Sequence, residues 1–339
     1  MKANWNGVRI LGACYCLAVS VYMGTAADWV SYEGKEGAGK GKNIVLIAGD
    51  EEYRSEEGLP MLARILSQRH GFHCTVLFPI NPQDGTIDPN NQTNVVGFHH
   101  IATADLVVML TRFRELPDEQ MKFFVDHLNA GKPIIGLRTA THAFAFERNK
   151  KSRYAKFDWQ NKEWPGGFGQ QVLGDTWISH HGNHGKESTR GIINEKFKSH
   201  SILRGVDDIW GPTDVYGVAH LPADASVLVY GQVLDGMQPS DKPVPGKKND
   251  PMMPLIWVRN YKGENGKSSR VVCSTIGAAT DLESEGLRRL LVNACYWAVG
   301  LEEKMPARSD VAYVDNYRPS PFGFGKGKKG VKPADYEVK

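Results

Sequence analysis

Residues 133 to 144 read Pro-Ile-Ile-Gly-Leu-Arg-Thr-Ala-Thr-His-Ala-Phe. The order is that of a buried strand running into a tight turn and then a helix, the place where many α/β enzymes expose a nucleophile. Here the turn is Gly136-Leu137-Arg138-Thr139-Ala140, so the nucleophile position holds Arg138, and no cysteine lies nearby in sequence. The scaffold is that of an α/β enzyme without a thiol at its elbow.

Outward from this stretch the pattern repeats. Asn43 to Gly49, His73 to Phe78 and Asp105 to Leu110 are apolar runs that read as strands covered on both faces. Between them Leu59, Leu62, Ala63 and Leu66, and then Met121, Phe124, Val125 and Leu128, recur at helical spacing, with Gly71 and Gly131 as stop signals. Ser226 to Gly231, Met253 to Val258 and Arg270 to Thr275 add strands, and Leu287 to Ala298 a closing helix. Alternating strands and helices predict a flavodoxin-like α/β fold, a mostly parallel sheet with helices on both faces. Phe146 to Asp175 has weak periodicity and reads as a long loop or lid over the sheet.

With 339 residues, 41% of them hydrophobic, the chain can bury a full core. Residues 1–27 read as a secretory signal: Lys2 and Arg9, an apolar run from Ile10 to Met23, and small residues before Asp28. The expected location is secreted or periplasmic, with no stable membrane insertion after cleavage; an uncleaved anchor is the competing reading. Losing Lys2 and Arg9 leaves 39 basic and 38 acidic residues (41 − 2 against 38), a formal +1, which gives no reason to expect a nucleic-acid partner. Cys74, Cys273 and Cys295 then remain, and their apolar settings favour buried thiols over a disulfide framework.

Ligands of open parallel sheets bind outside the carboxyl ends of the strands, so the loops there carry the candidates. After the first long strand come Glu52, Tyr53 and Arg54, either substrate contacts or part of an acidic helix cap. Arg112 and Arg114 follow the third strand and can serve a ligand or a salt bridge at the rim. Arg138 is a permanent cation suited to a carbonyl, a carboxylate or a developing oxyanion; a structural ion pair with an acid such as Glu52 is the alternative. Thr139 and Thr141 share its turn, and His142 lies one helical turn beyond it. His180-His181-Gly182-Asn183-His184 is the densest imidazole cluster, open to three readings: a substrate loop, a solvated loop, and, less favoured, a divalent metal site. His142, His181 and His184 are the candidate proton carriers, Asp214 a candidate carboxylate, and Trp177 and Tyr216 candidate stacking surfaces for a sugar. No nucleotide fingerprint is present and no cofactor is expected. The segment Pro319 to Gly330, rich in Pro, Gly and Lys, reads as part of an extended tail over residues 302–339.

Taken in order, these motifs resemble the trehalose-utilisation (ThuA-like) family, whose fold is like that of class I glutamine amidotransferases. The matching pieces are Gly49 to Glu57, Asp105 to Gln120, Gly136 to Phe144, Val172-Leu173-Gly174 before the histidine loop, His200 to Val206, Thr213 to Tyr216, and Pro254 to Arg259 leading to Thr275-Ile276-Gly277. They span roughly residues 42 to 301. The resemblance implies a role in carbohydrate metabolism, with a small-molecule sugar as partner. Many relatives carry His where this chain has Arg138, and Gly-His where it has Gly277-Ala278; an amidotransferase needs a thiolate at the elbow and a partner histidine, and with Arg138 and Ala278 in those places no glutaminase activity is expected. The reading is a secreted protein acting on a sugar or keto-sugar by isomerisation, elimination or hydrolysis, with a sugar-binding or assembly module as the alternative and homo-oligomerisation left open. Arg138 is cast as a pocket-facing group whose removal would little change the melting temperature.

Overall fold

The computed structural model describes residues 1–3 and 27–338, so most of the expected signal segment lies outside the described residues. The chain forms Trp29–Tyr32 (β1), Asn43–Gly49 (β2), Ser55–His70 (α1), His73–Leu77 (β3), Leu106–Thr111 (β4), Asp118–Asn129 (α2) and Ile134–Leu137 (β5). Then come Ser188–Ile193 (β6), Ile209–Gly211 (β7), Ser226–Leu234 (β8), Met253–Lys262 (β9), Ser268–Ser274 (β10) and Glu285–Ala298 (α3). Successive residues of β2 face opposite sides: Ile44, Leu46 and Ala48 join the core under α1 and α3, while Val45 and Ile47 join the one under α2. Burial on both faces is why β2 and β4 are apolar without alternation.

The ten strands form one sheet in the order β1-β3-β2-β4-β5-β10-β9-β8-β6-β7. The expected mostly parallel sheet is corrected to a mixed one. The β3-β2-β4-β5-β10 pairings are parallel, whereas β1 on β3 and every pairing from β10 outward to β7 are antiparallel. The physical reason is connection length. Only residues 263–267 join β9 to β10, which is enough for a hairpin and far too little for a parallel crossover.

Two further expectations are corrected. The segment after β5 is a single 3₁₀ turn, Arg138–His142, rather than the start of a long helix. Residues 302–338 do not trail away. The Tyr317 hydroxyl donates to the Ala279 carbonyl at 2.7 Å, Ile87 N donates to the Val331 carbonyl at 2.8 Å, and the Tyr336 ring stacks on Phe78 at 5.8 Å. Between these anchors residues 319–330 arch over the carboxyl ends of the strands. Among the described residues, no helix is long and apolar enough to cross a membrane.

Candidate functional site

Three adjacent parallel strands end in strained turns. Arg54 after β2 (φ 56°), Phe113 after β4 (φ 51°) and Arg138 after β5 (φ 44°) are left-handed, and Asp208 is the one other non-glycine residue with positive φ among the described residues. Such strain persists only where the surroundings over-determine it, and it gathers at functional sites. Asp50 supplies part of that determination: its Oδ1 accepts from the Glu52 and Tyr53 amides at 2.7 and 2.6 Å, and its Oδ2 accepts from the Thr139 hydroxyl. Gly136 allows the Arg138 turn to lie close under Leu173, whose methyl would stand 2.6 Å from any Cβ there.

Arg138 is fully buried. Its Nη2 donates to Asp214 Oδ1 at 2.8 Å and to the Tyr53 hydroxyl at 3.2 Å, and its Nη1 donates to the carbonyls of Asp214 and Thr275 at 2.6 and 2.9 Å. The guanidinium lies between the rings of Tyr216 (3.8 Å) and Tyr53 (4.7 Å). The pocket-facing role expected for Arg138 is therefore corrected: both terminal nitrogens are committed to protein acceptors, and the ion-pair partner is Asp214, not Glu52.

Asp214 is the hub of the site. Besides Arg138, its Oδ2 meets His180 Nδ1 at 2.7 Å and its Oδ1 meets His184 Nδ1 at 2.9 Å. Burial works to raise its carboxyl, but the Arg138 charge and the two histidine hydrogen bonds outweigh it and hold the group well below the ordinary value. On its other side His184 Nε2 reaches Glu52 Oε1 at 3.3 Å. The hydrogen bonds to Asp214, then those to Glu52, push His184 up to about 9, so it is an imidazolium clamped between two carboxylates at neutral pH. Glu52 is raised by burial and lowered by more than that through His184 and Arg112, leaving it ionised. The turn carrying His184 is fixed by Glu187, which accepts from Asn183 N at 2.6 Å and Nδ2 at 3.0 Å.

His180, a member of the histidine cluster but not one of the candidate proton carriers, enters the site, whereas the expected His181 does not. His180 pairs in a short antiparallel bridge with Tyr216, so successive side chains point to opposite sides. His181 accordingly points away and its Nε2 meets the Lys248 carbonyl at 2.9 Å. That parity was the available signal, but it needs the bridge to be known first.

Glu52, Tyr53, Arg112, Phe113, His142, Trp177, His180 and Tyr216 line a partly open cavity of about 40 Å³. His142 is buried among Phe113, Trp177 and Tyr216, and burial, reinforced by the charges of Arg112 and Arg138, holds it neutral. Phe113, which sequence reasoning passed over, forms one wall and carries Arg112 at 4.6 Å over its ring. Other expected contacts lie outside this cavity. Arg114 is buried on the Pro89 and Asn91 carbonyls and on Glu51, Arg54 binds the Gly323 carbonyl at 3.1 Å, Thr139 serves Asp50, and Thr141 Oγ1 lies 3.2 Å from His142 Nδ1.

His180, His184 and Asp214 present donor atoms within 4.8 Å of one another, the grouping among the described residues that could hold a metal. Its fit is poor on charge: Asp214 Oδ1 is already paired with Arg138, and the Glu52 carboxylate faces both His184 and Arg112. A divalent cation would displace the His184 proton and sit beside a fixed guanidinium.

The profile of the ThuA family, described as trehalose utilisation, matches residues 45–298. Among solved structures the chain is similar to a ThuA-like protein of Parabacteroides merdae at 14% identity and TM-score 0.49, covering 88% of this chain and 100% of that one. It is also similar to a ThuA-like protein of Bacteroides uniformis at 12% identity and TM-score 0.46, covering 79% and 95%. Comparison with curated proteins finds no significant match.

Proposed function

Because the chain belongs to the ThuA trehalose-utilisation family, a group linked to carbohydrate metabolism, we propose that its site performs acid–base chemistry on a sugar or keto-sugar. The carrying observation is the Asp214–His180 pair: a buried, ionised carboxylate 2.7 Å from Nδ1 of an imidazole that lines an aromatic-walled cavity. Bound to Nδ1–H, the carboxylate fixes the tautomer that leaves Nε2 free as an acceptor and stabilises the imidazolium formed when Nε2 takes a proton. Abstraction of a proton next to a carbonyl puts the electron pair on the carbonyl oxygen. Returning that proton from His180 to the former carbonyl carbon, while the hydroxyl proton on the carbon that lost it passes to the former carbonyl oxygen, completes an isomerisation; delivering it instead to a β-hydroxyl that leaves as water completes an elimination.

Arg112 takes the electrostatic role that Arg138 cannot, since it lines the cavity and carries a charge suited to the developing oxyanion. Glu52, kept ionised by His184 and Arg112, is an acceptor for sugar hydroxyls, and Trp177 and Tyr216 offer aromatic faces to the ring. Arg138 is a positioning residue that holds Asp214. A sugar-binding module without turnover is the second reading, favoured by the commitment of the elbow side chain to structure. Export remains a proposal on the strength of residues 1–27.

The test is a panel of glucosides and their keto derivatives followed by NMR in deuterated water, which reads proton exchange next to a carbonyl without knowledge of the product. Deuterium entering a bound keto-sugar with wild type but not with His180→Ala supports catalysis. Binding without exchange selects the module.

A further inference from the structure

The cavity of about 40 Å³ holds a few waters at most, each needing about 10–15 Å³ of such space. Pockets for small molecules start at about 300 Å³. A sugar ring therefore needs more room than the cavity gives, and the arch of residues 319–330 covers the surface that adjoins it. The Phe322 ring stacks on Tyr53 at 5.9 Å and 29°, and meets the His184 ring edge-on at 5.6 Å. Next to it Gly323 N donates to the Glu52 carbonyl at 2.7 Å and the Gly323 carbonyl accepts from Arg54 at 3.1 Å, while Arg112 lies 5.1 Å over the Phe324 ring. Three consecutive residues of the arch thus touch Glu52, Tyr53 and Arg112, which also line the cavity.

We infer that the seat of Phe322 is a pyranose-binding subsite, and that the arch occupies it in competition with the substrate; this rests on the sugar reading of the site. A phenyl ring and a pyranose share a flat apolar face of similar extent, so the Tyr53 ring that stacks Phe322 suits a sugar equally. Arg54, released from Gly323, then meets hydroxyls at the ring's edge. The arch is built to leave. Gly323 and Gly325 sit at φ 112° and 70°, where backbone freedom is greatest. A cavity of about 290 Å³ separates its far limb from Asp84, Asp88 and Asn90, and the ties that lifting must break include those of Ser320 N and Lys328 Nζ to Glu57 Oε2 at 2.9 and 3.1 Å. The flanks stay tied at Tyr317 and Val331, which lets the arch hinge without unfolding.

The experiment titrates the full-length wild type and Phe322→Ala with trehalose and with glucose by calorimetry, while hydrogen exchange follows the Gly323 amide of the wild type. If the open arch is populated at about a tenth or less, Phe322→Ala binds about tenfold or more tightly, and saturating sugar speeds Gly323 exchange. Equal or weaker binding by a folded Phe322→Ala, or slower Gly323 exchange on sugar binding, overturns the subsite while leaving the sugar site standing. Binding of neither sugar by either protein overturns both.

Discussion

Arg138 grips Asp214 twice, through the carboxylate at 2.8 Å and through the backbone carbonyl at 2.6 Å, and does so with both side chains buried. The pair joins the turn after β5 to the segment between β7 and β8, and so ties the parallel and antiparallel parts of the sheet together.

Arg138→Ala leaves a buried carboxylate without its main counter-charge. A loss of about 3–5 kcal/mol is expected, measured by denaturant unfolding, against the small change anticipated for a pocket-facing guanidinium. A loss below about 1 kcal/mol, the scale of an exposed pair, would contradict the assignment.

His184 should titrate with an apparent pKa near 9, visible in its ring proton shifts, and Asp214→Asn should bring it down toward 6.5. Because the folded value lies above the unfolded one, the stability it contributes is complete below about 6.5 and is lost as pH rises through about 9. Asp214 works in the opposite sense: its depressed value stabilises above the ordinary carboxylate range, and that share is lost on acidification. A flat thermal-stability profile between pH 6.5 and 9 would argue against the clamp.

The two neighbouring histidines should separate cleanly. His180→Ala is expected to cut proton exchange from a bound keto-sugar by about 10²–10⁴, the usual range for a general base, whereas His181→Ala, whose ring meets Lys248 outside the cavity, leaves it unchanged. Equal losses would remove His180 from its proposed role.

The chain purified from its native host should begin at or near Asp28, as read by intact mass. A mass retaining Met1 to Ala27 would favour an uncleaved anchor.

The parallel strands were legible because burial on both faces writes itself as uninterrupted apolar sequence in Asn43–Gly49 and Leu106–Thr111. Strand direction was not, since pairing direction is set by connections. Gly263-Glu-Asn-Gly-Lys267, a hairpin signal between β9 and β10, was the one local cue. β6, with Ser188, Thr189 and Arg190, and the three-residue β7 have too little apolar pattern to register. In the site, Glu52, His142 and His184 do converge, as the strand-end argument places them, whereas Arg138 lies beneath them and His181 faces away. The arch was invisible because Gly, Pro and Lys read as solvated chain; its contacts are mostly backbone and single aromatic rings.

The left-handed turns after β2, β4 and β5 bear on any attempt to engineer this protein for heat resistance. Each non-glycine residue in that conformation carries about 1–2 kcal/mol of steric penalty, so a stability screen will be drawn to glycine at Arg54, Phe113 and Arg138. At Arg138 the gain is swamped by the ion pair it would sever. At Phe113 the relief is set against the ring's packing on His142 at 5.0 Å and Trp159 at 5.4 Å, and the ring also walls the cavity and lies under Arg112. A screen that scores backbone strain alone would therefore accept a Phe113→Gly protein with its binding surface stripped, so thermostability and ligand recognition have to be read together at that one α-carbon.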